Sequence, residues 1–154
     1  MCKFFKKLSK SKGNSLSNAE LEALEYAERD LILDKFKFLE QAEFVCEVVR
    51  PSGFISVHYK HRDIYIGIGT DYREDINYLT VVINTGKTVG TTHHEGKEIQ
   101  VHEIKRIYEF SIGTQEERNK LKALENTEDN FPNVLEAYAE FIKNNLDDIK
   151  RLAT

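Results

Sequence analysis

Five histidines, at 58, 61, 93, 94 and 102, are the first residues of this chain that could do chemistry, since imidazoles ligate metals. A metal site needs ligands converging from rigid positions, and adjacent His93 and His94 point to opposite sides of an extended backbone. His58 and His61 straddle a turn with no Cys or acid at ligand spacing, so structural or solvent-exposed histidines are expected and no metal is assigned. Gly86-Lys87-Thr88 has the ending of a phosphate-binding loop, but Val81 stands where that motif needs its first glycine, and no helix pattern follows. Gly67 and Gly69 lack the third glycine and the helix of a dinucleotide fingerprint. Cys46 lies in the apolar alternation Phe44, Cys46, Val48, which suits a small buried side chain better than a nucleophile. No spacing marks a catalytic triad, and paired acids such as Asp147-Asp148 and Glu116-Glu117 read as solvated helix faces. No catalytic residue and no cofactor is therefore assigned.

What remains is a recognition surface. Arg62–Asp75 reads RDIYIGIGTDYRED: Ile64, Ile66 and Ile68 share one face of a strand, and Tyr65, Gly67 and Gly69 share the other. Glycines inside a strand mark a bulge or a close approach by another group. Asp71, Tyr72, Arg73, Glu74 and Asp75 then gather both charge signs and an aromatic at a turn. Asp71 bonding nearby backbone and Arg73 pairing with an acid would explain a plain turn; Tyr and Arg are also the types that most often anchor interfaces. Tyr65, Asp71, Tyr72, Arg73, Glu74 and Asp75 are the candidate binding residues.

The elements that must position them follow from periodicity. Ser17-Asn18-Ala19-Glu20 is a capping box, predicting a helix over about 18–42. Residues 44–49, 53–60, 63–70 and 78–84 read as strands, and their links are too short for parallel crossovers, so an antiparallel meander is expected. Ile55, Val57 and Tyr59, the three isoleucines, and Leu79, Val81 and Ile83 form its inner face, with Ser56, His58, Tyr65 and Thr80 outside. Residues 85–97, with three glycines and four threonines, suit an exposed loop or loose hairpin. A strand end then runs into a short helix at about 101–110. Thr114-Gln-Glu-Glu117 is a second capping box, opening a helix to about 125, and Val134 to Leu152 make an amphipathic final helix begun near Pro132. The fold expected is a two-layer α+β domain over 17–154, a four- to five-stranded antiparallel meander packed on one face by N-terminal and C-terminal helices.

Residues 1–16 read as a basic flexible leader. Residues 1–13 hold five of the 22 basic residues and no acid, leaving the rest with 17 basic against 26 acidic residues, a net of −9. That leader suits a disordered, solubilising start, or weak contact with an anionic membrane surface through Phe4, Phe5 and Leu8. It has no apolar central region of the secretory kind, and no run reaches the about 18 apolar residues of a membrane span, so a cytoplasmic location is the default expectation. An acidic body disfavours nucleic acid and favours basic partners.

The run from Phe38, FLEQAEFVCEVV, continuing as GFISVHYKHRDIYIGIGTDYREDINYLTVVIN to Asn84, resembles small bacterial proteins in which an aromatic-rich helix end leads into a meander. In these the second strand closes on V-x-Y, here Val57-His58-Tyr59, and the third ends in D-x-R, here Asp71-Tyr72-Arg73. Several are uncharacterised, and others are grouped with the immunity proteins of polymorphic toxin systems. The match covers about a third of the chain. It implies a non-enzymatic protein that neutralises a cognate toxin by direct binding, with a basic toxin domain as partner. The alternative is a small-molecule-binding or enzymatic domain using the sheet face around Gly67 and Gly69, which requires a concave pocket lined by Tyr65 and His58. Exposed strands at the sheet edges could also pair in a dimer, though no feature of the sequence selects this.

Overall fold

A computed structural model describes residues 17–49, 54–71, 79–124 and 131–153. The chain runs α1 (Asn18–Lys35), α2 (Lys37–Gln41), β1 (Val45–Val49), β2 (Phe54–His61), β3 (Ile64–Asp71), β4 (Leu79–His94) and β5 (Lys97–Arg106). A 3-10 turn (Ile107–Glu109) leads to α3 (Gln115–Leu124), α4 (Phe131–Asn144) and α5 (Leu146–Arg151). The five strands form one antiparallel sheet in the order β1-β2-β3-β4-β5, with the helices packing on it: the expected α+β meander. The leader 1–16 lies outside the described residues.

Both capping boxes form. The Glu20 amide donates to Ser17 Oγ and the Ser17 amide to Glu20 Oε2, each at 3.2 Å. Thr114 and Glu117 repeat the exchange at 2.8 and 3.1 Å. Each pair satisfies two amides that have no partner inside the helix.

The first helix is not continuous to residue 42. Phe36 leaves helical geometry at φ −102° and ψ 10°, and its amide still donates to the Ile32 carbonyl at 3.0 Å. Phe36 and Leu39, three residues apart, both lie in the core on either side of the break. The last helix breaks likewise at Asn145, whose Nδ2 donates to the Phe141 carbonyl at 2.9 Å, and Ile149 of α5 beyond it is buried.

The core lies between the sheet's inner face and α1 and α4. In register across it stand Tyr59, Ile66 and Ile83, and beside them Val57, Ile68 and Val81, all buried. Ile32, Phe36, Leu135, Tyr138 and Ile142 cover them from the helices. A Lys35–Glu136 ion pair ties α1 to α4 at the surface.

Residues 85–97 are not a loop: they belong to an exposed hairpin, in regular register from Gly90 to its turn and with register shifts between Asn84 and Gly90. They are the second half of a 16-residue strand and its tight turn, paired with β5 as far as His94 and Lys97. Glu95 and Gly96 have φ of 51° and 77°, both positive as a two-residue type I′ turn requires. The expected helix at 101–110 is likewise absent: strand β5 continues to Arg106 and only Ile107–Glu109 coil. Threonine's β-branched side chain favours the extended state, and each strand supplies the other's hydrogen bonds. The result is a ribbon reaching past the body of the sheet, and every residue from Lys87 to His102 is exposed.

Candidate functional site: a recess on the bare face of the sheet

The outer face of the sheet carries no described helix, and its register decides what it displays. One row across the strands is His58, Gly67, Val82 and Arg106; the next is Lys60, Tyr65, Asn84 and Ile104. Gly67 therefore puts a side-chain gap in the middle of a row. His58, Tyr65, Val82, Asn84 and Ile104 rise around it, enclosing a recess of about 240 Å³ open to solvent.

Space over Gly67 is limited laterally. A methyl group added there would stand 3.2 Å from Val82 Cγ2 and 3.7 Å from His58 Cδ2. Glycine is thus the residue that keeps the floor flat between two larger neighbours.

The walls are ordered by their own contacts. His58 Nε2 shares a 2.8 Å hydrogen bond with Ser56 Oγ, and the Cδ2–Nε2 edge of its ring is the one turned toward the floor at Gly67. The Tyr65 ring stands edge-on to His58, centroids 6.4 Å apart, and Lys60 Nζ lies 5.1 Å over it. Such a cation holds the ring by its negative face. Asn84 Oδ1 accepts from the Gly86 amide at 2.9 Å, which fixes its carboxamide. The recess thus offers an aliphatic wall from Val82 and Ile104 and polar atoms from an imidazole, a phenol and a carboxamide.

Of the candidate binding residues, Tyr65 stands in this recess. Asp71 ends the same strand, paired with Phe54, six residues away and so roughly 20 Å along it. The two do not meet in one site. Tyr72, Arg73, Glu74 and Asp75 lie outside the described residues. Sequence reasoning named His58 and Tyr65 for this face but missed Val82, Asn84 and Ile104. The places of Val82 and Asn84 were implied by the alternation of β4 with Thr80, and that of Ile104 by a β5 that had to be read as strand.

The histidines are dispersed. His61 lies by Phe44, ring centroids 5.1 Å apart; His93 and His94 pair with Glu98 and Lys97 on opposite faces of the ribbon; His102 pairs with Thr88. Among the described residues no three His, Cys, Asp or Glu side chains come together as a metal site. Cys46 is half-buried beside Tyr59, and burial raises its thiol above the ordinary value, which leaves less of the reactive thiolate. Gly86 has φ 75° and packs against the Asp63 backbone, with strand and no helix following it. Among the described residues no helix is long and apolar enough to cross a membrane.

Fold and site together define an α+β protein with an open recess of mixed polarity on the bare face of its sheet. No protein-family model, curated protein or solved structure matches the chain.

Proposed function

We propose that this chain is a non-enzymatic binding protein that takes a protein partner against the outer face of its sheet, with one partner side chain seated over Gly67. The observation that carries this reading is the recess itself. At about 240 Å³ it falls below the roughly 300–1,000 Å³ of ordinary small-molecule sites. It is open, and Ile104 beside it is 57% exposed, so the apolar surface continues past its rim. A recess for one anchor residue, flanked by further apolar and aromatic surface, is how protein interfaces concentrate their affinity.

The partner to test first is a basic toxin domain, as resemblance to immunity proteins of polymorphic toxin systems implies. The acidic body, net −9 beyond the leader, would steer such a partner and complement its charge. A bacterial, cytoplasmic site of action goes with this reading, as does a secondary contact of residues 1–13 with anionic membrane. Deletion of that leader should then weaken vesicle binding and leave toxin binding intact.

The test is calorimetric titration of the full chain with the toxin domain encoded beside it. Tyr65→Ala and Ile104→Arg should each raise Kd by about tenfold or more if the recess is central. Tight binding unchanged by both substitutions would move the interface elsewhere. Absence of binding to any neighbouring gene product would remove the immunity reading.

A small ligand in the same recess is the second reading, supported by its lining of Tyr65 and His58. It predicts a ligand-dependent rise in Tm that Tyr65→Ala abolishes.

A further inference from the structure

The free edge of β5 is a surface of a different kind. Among the described residues β5 pairs only with β4, so the backbone groups along its other side have no strand partner. Edges of this sort are normally short, interrupted by proline or a bulge, or lined with charge, as β5 is at Lys97, Glu98, Glu103, Lys105 and Arg106. β5 has ten residues with neither proline nor glycine, and it exposes Ile99 and Val101 at 45% and 39%.

We propose that β5 pairs antiparallel with β5 of a second copy of this chain, in a register with its two-fold axis at Gln100. Symmetric antiparallel pairing about an axis normal to the sheet sets residue i opposite the residue equally far on the other side of the centre. Around Gln100 the strand reads Lys97-Glu98-Ile99-Gln100-Val101-His102-Glu103. That centre places Ile99 opposite Val101, Glu98 opposite His102 and Lys97 opposite Glu103, each twice by symmetry. On one face the two Ile99 and two Val101 side chains form a continuous apolar cluster, flanked at each end by a Lys97–Glu103 pair. On the other face the two Gln100 carboxamides meet at the axis, each with a donor and an acceptor for its twin.

Neighbouring registers fail on the same residues. A centre at Val101 sets Lys97 against Lys105. One at His102 sets Ile99 against Lys105 and Val101 against Glu103. One at Ile99 sets Lys97 against Val101. Like charges directly opposite destabilise a strand pair, and charges opposite aliphatics waste the apolar area. The complementarity therefore selects both the partner, a second copy, and the register. Glu103 already accepts from Thr85 at 3.1 Å and pairs with Lys105 at 3.3 Å, which holds its carboxylate in place to receive the partner's lysine. An axis normal to the ribbon also keeps the outer faces of both arms on the same side.

Sedimentation equilibrium of the full chain should show a dimer, and a wild type that stays monomeric at its highest soluble concentration overturns the proposal. Lys97→Glu and Glu103→Lys, each alone, set two like-charge pairs across the axis and should raise the dimer dissociation constant by about tenfold or more. An equimolar mixture of the two variants restores opposite charges at both positions and should re-form the dimer. A dimer indifferent to either substitution, or no recovery on mixing, rules out this register. Should Glu103→Lys impair folding, Ile99→Glu mixed with Val101→Lys offers the same complementation at positions wholly on the exposed arm.

Discussion

The Tyr59 hydroxyl offers a measurement that tests the core directly. Tyr59 is fully buried, its ring tilted against Phe36 at 6.3 Å, and its Oη is buried without a hydrogen-bond partner of acceptable geometry. The neighbouring polar group is the Cys46 thiol across the strand pair, a weak partner at best. A buried hydroxyl left unsatisfied costs about 1–3 kcal/mol, and Tyr59→Phe removes it while keeping the ring. Allowing for lost packing around the deleted oxygen, the variant should gain about 1 kcal/mol at pH 7, or roughly 2–4 °C in Tm for a domain of this size. The effect should grow in alkali. Burial, then Cys46 and Glu40, push the Tyr59 phenol far above its ordinary 10.0, so the folded state keeps a proton that the unfolded state releases. A raised folded-state value means stability is complete below pH 10 and falls as pH rises beyond it. At pH 11 the unfolded phenol gains about 1.4 kcal/mol that the folded one cannot, and the variant's advantage should widen by that amount. Urea melts of both proteins at the two pH values, followed by circular dichroism, supply the comparison. Destabilisation by more than about 0.5 kcal/mol at pH 7 would show that the hydroxyl makes a good bond, and a double-mutant cycle with Cys46→Ala would show whether the thiol is its partner.

Three further outcomes follow from the geometry. Gly86→Ala should destabilise by about 2 kcal/mol or more in chemical denaturation, because its Cβ would meet Asp63 Cβ and O at 2.8 Å and φ is 75°; an effect under about 0.5 kcal/mol would mean the β2–β3 turn gives way. Thr114→Ala removes the oxygen that accepts the Glu117 amide and should cost about 1 kcal/mol, with Thr114→Ser recovering most of it in the same thermal melts. Lys105 first, and Thr85, hold the Glu103 carboxyl below its ordinary value of 4.5, so its contribution is present above that pH and fades as pH falls through the lower folded-state value. A Glu103→Gln protein should lose that acid-dependent increment, and an identical stability profile below pH 4.5 in both proteins would contradict it.

Features carried by neighbouring residues were legible in the chain. Ser17 with Glu20 and Thr114 with Glu117 announce helix starts by satisfying amides three residues away, and the isoleucines at 64, 66 and 68 announce an inner face. The ribbon was not legible in the same way, since Thr-Gly-Lys-Thr-Val-Gly-Thr-Thr has turn composition and becomes strand only through hydrogen bonds to residues 97–102. Nor were the breaks at Phe36 and Asn145, where an unbroken apolar stripe gives no sign that packing will bend the helix. For the candidate site, Tyr65 and His58 could be named from alternation alone. The recess could not, because it depends on Gly67 standing between His58 and Val82 and on Ile104 arriving from β5.

The sequence by itself thus determined the layers of this protein: which residues alternate, where two helices begin, and that a meander would be covered on one face. Those are local properties, set by backbone periodicity and by capping within a few residues. Tertiary structure alone decided that a glycine- and threonine-rich stretch pairs with residues 97–102 as an exposed arm, that Gly67 floors a recess, and that Tyr65 and Asp71 stand at opposite ends of one strand. Register and pairing couple residues that are distant along the chain, so their outcome exists only once the strands have met.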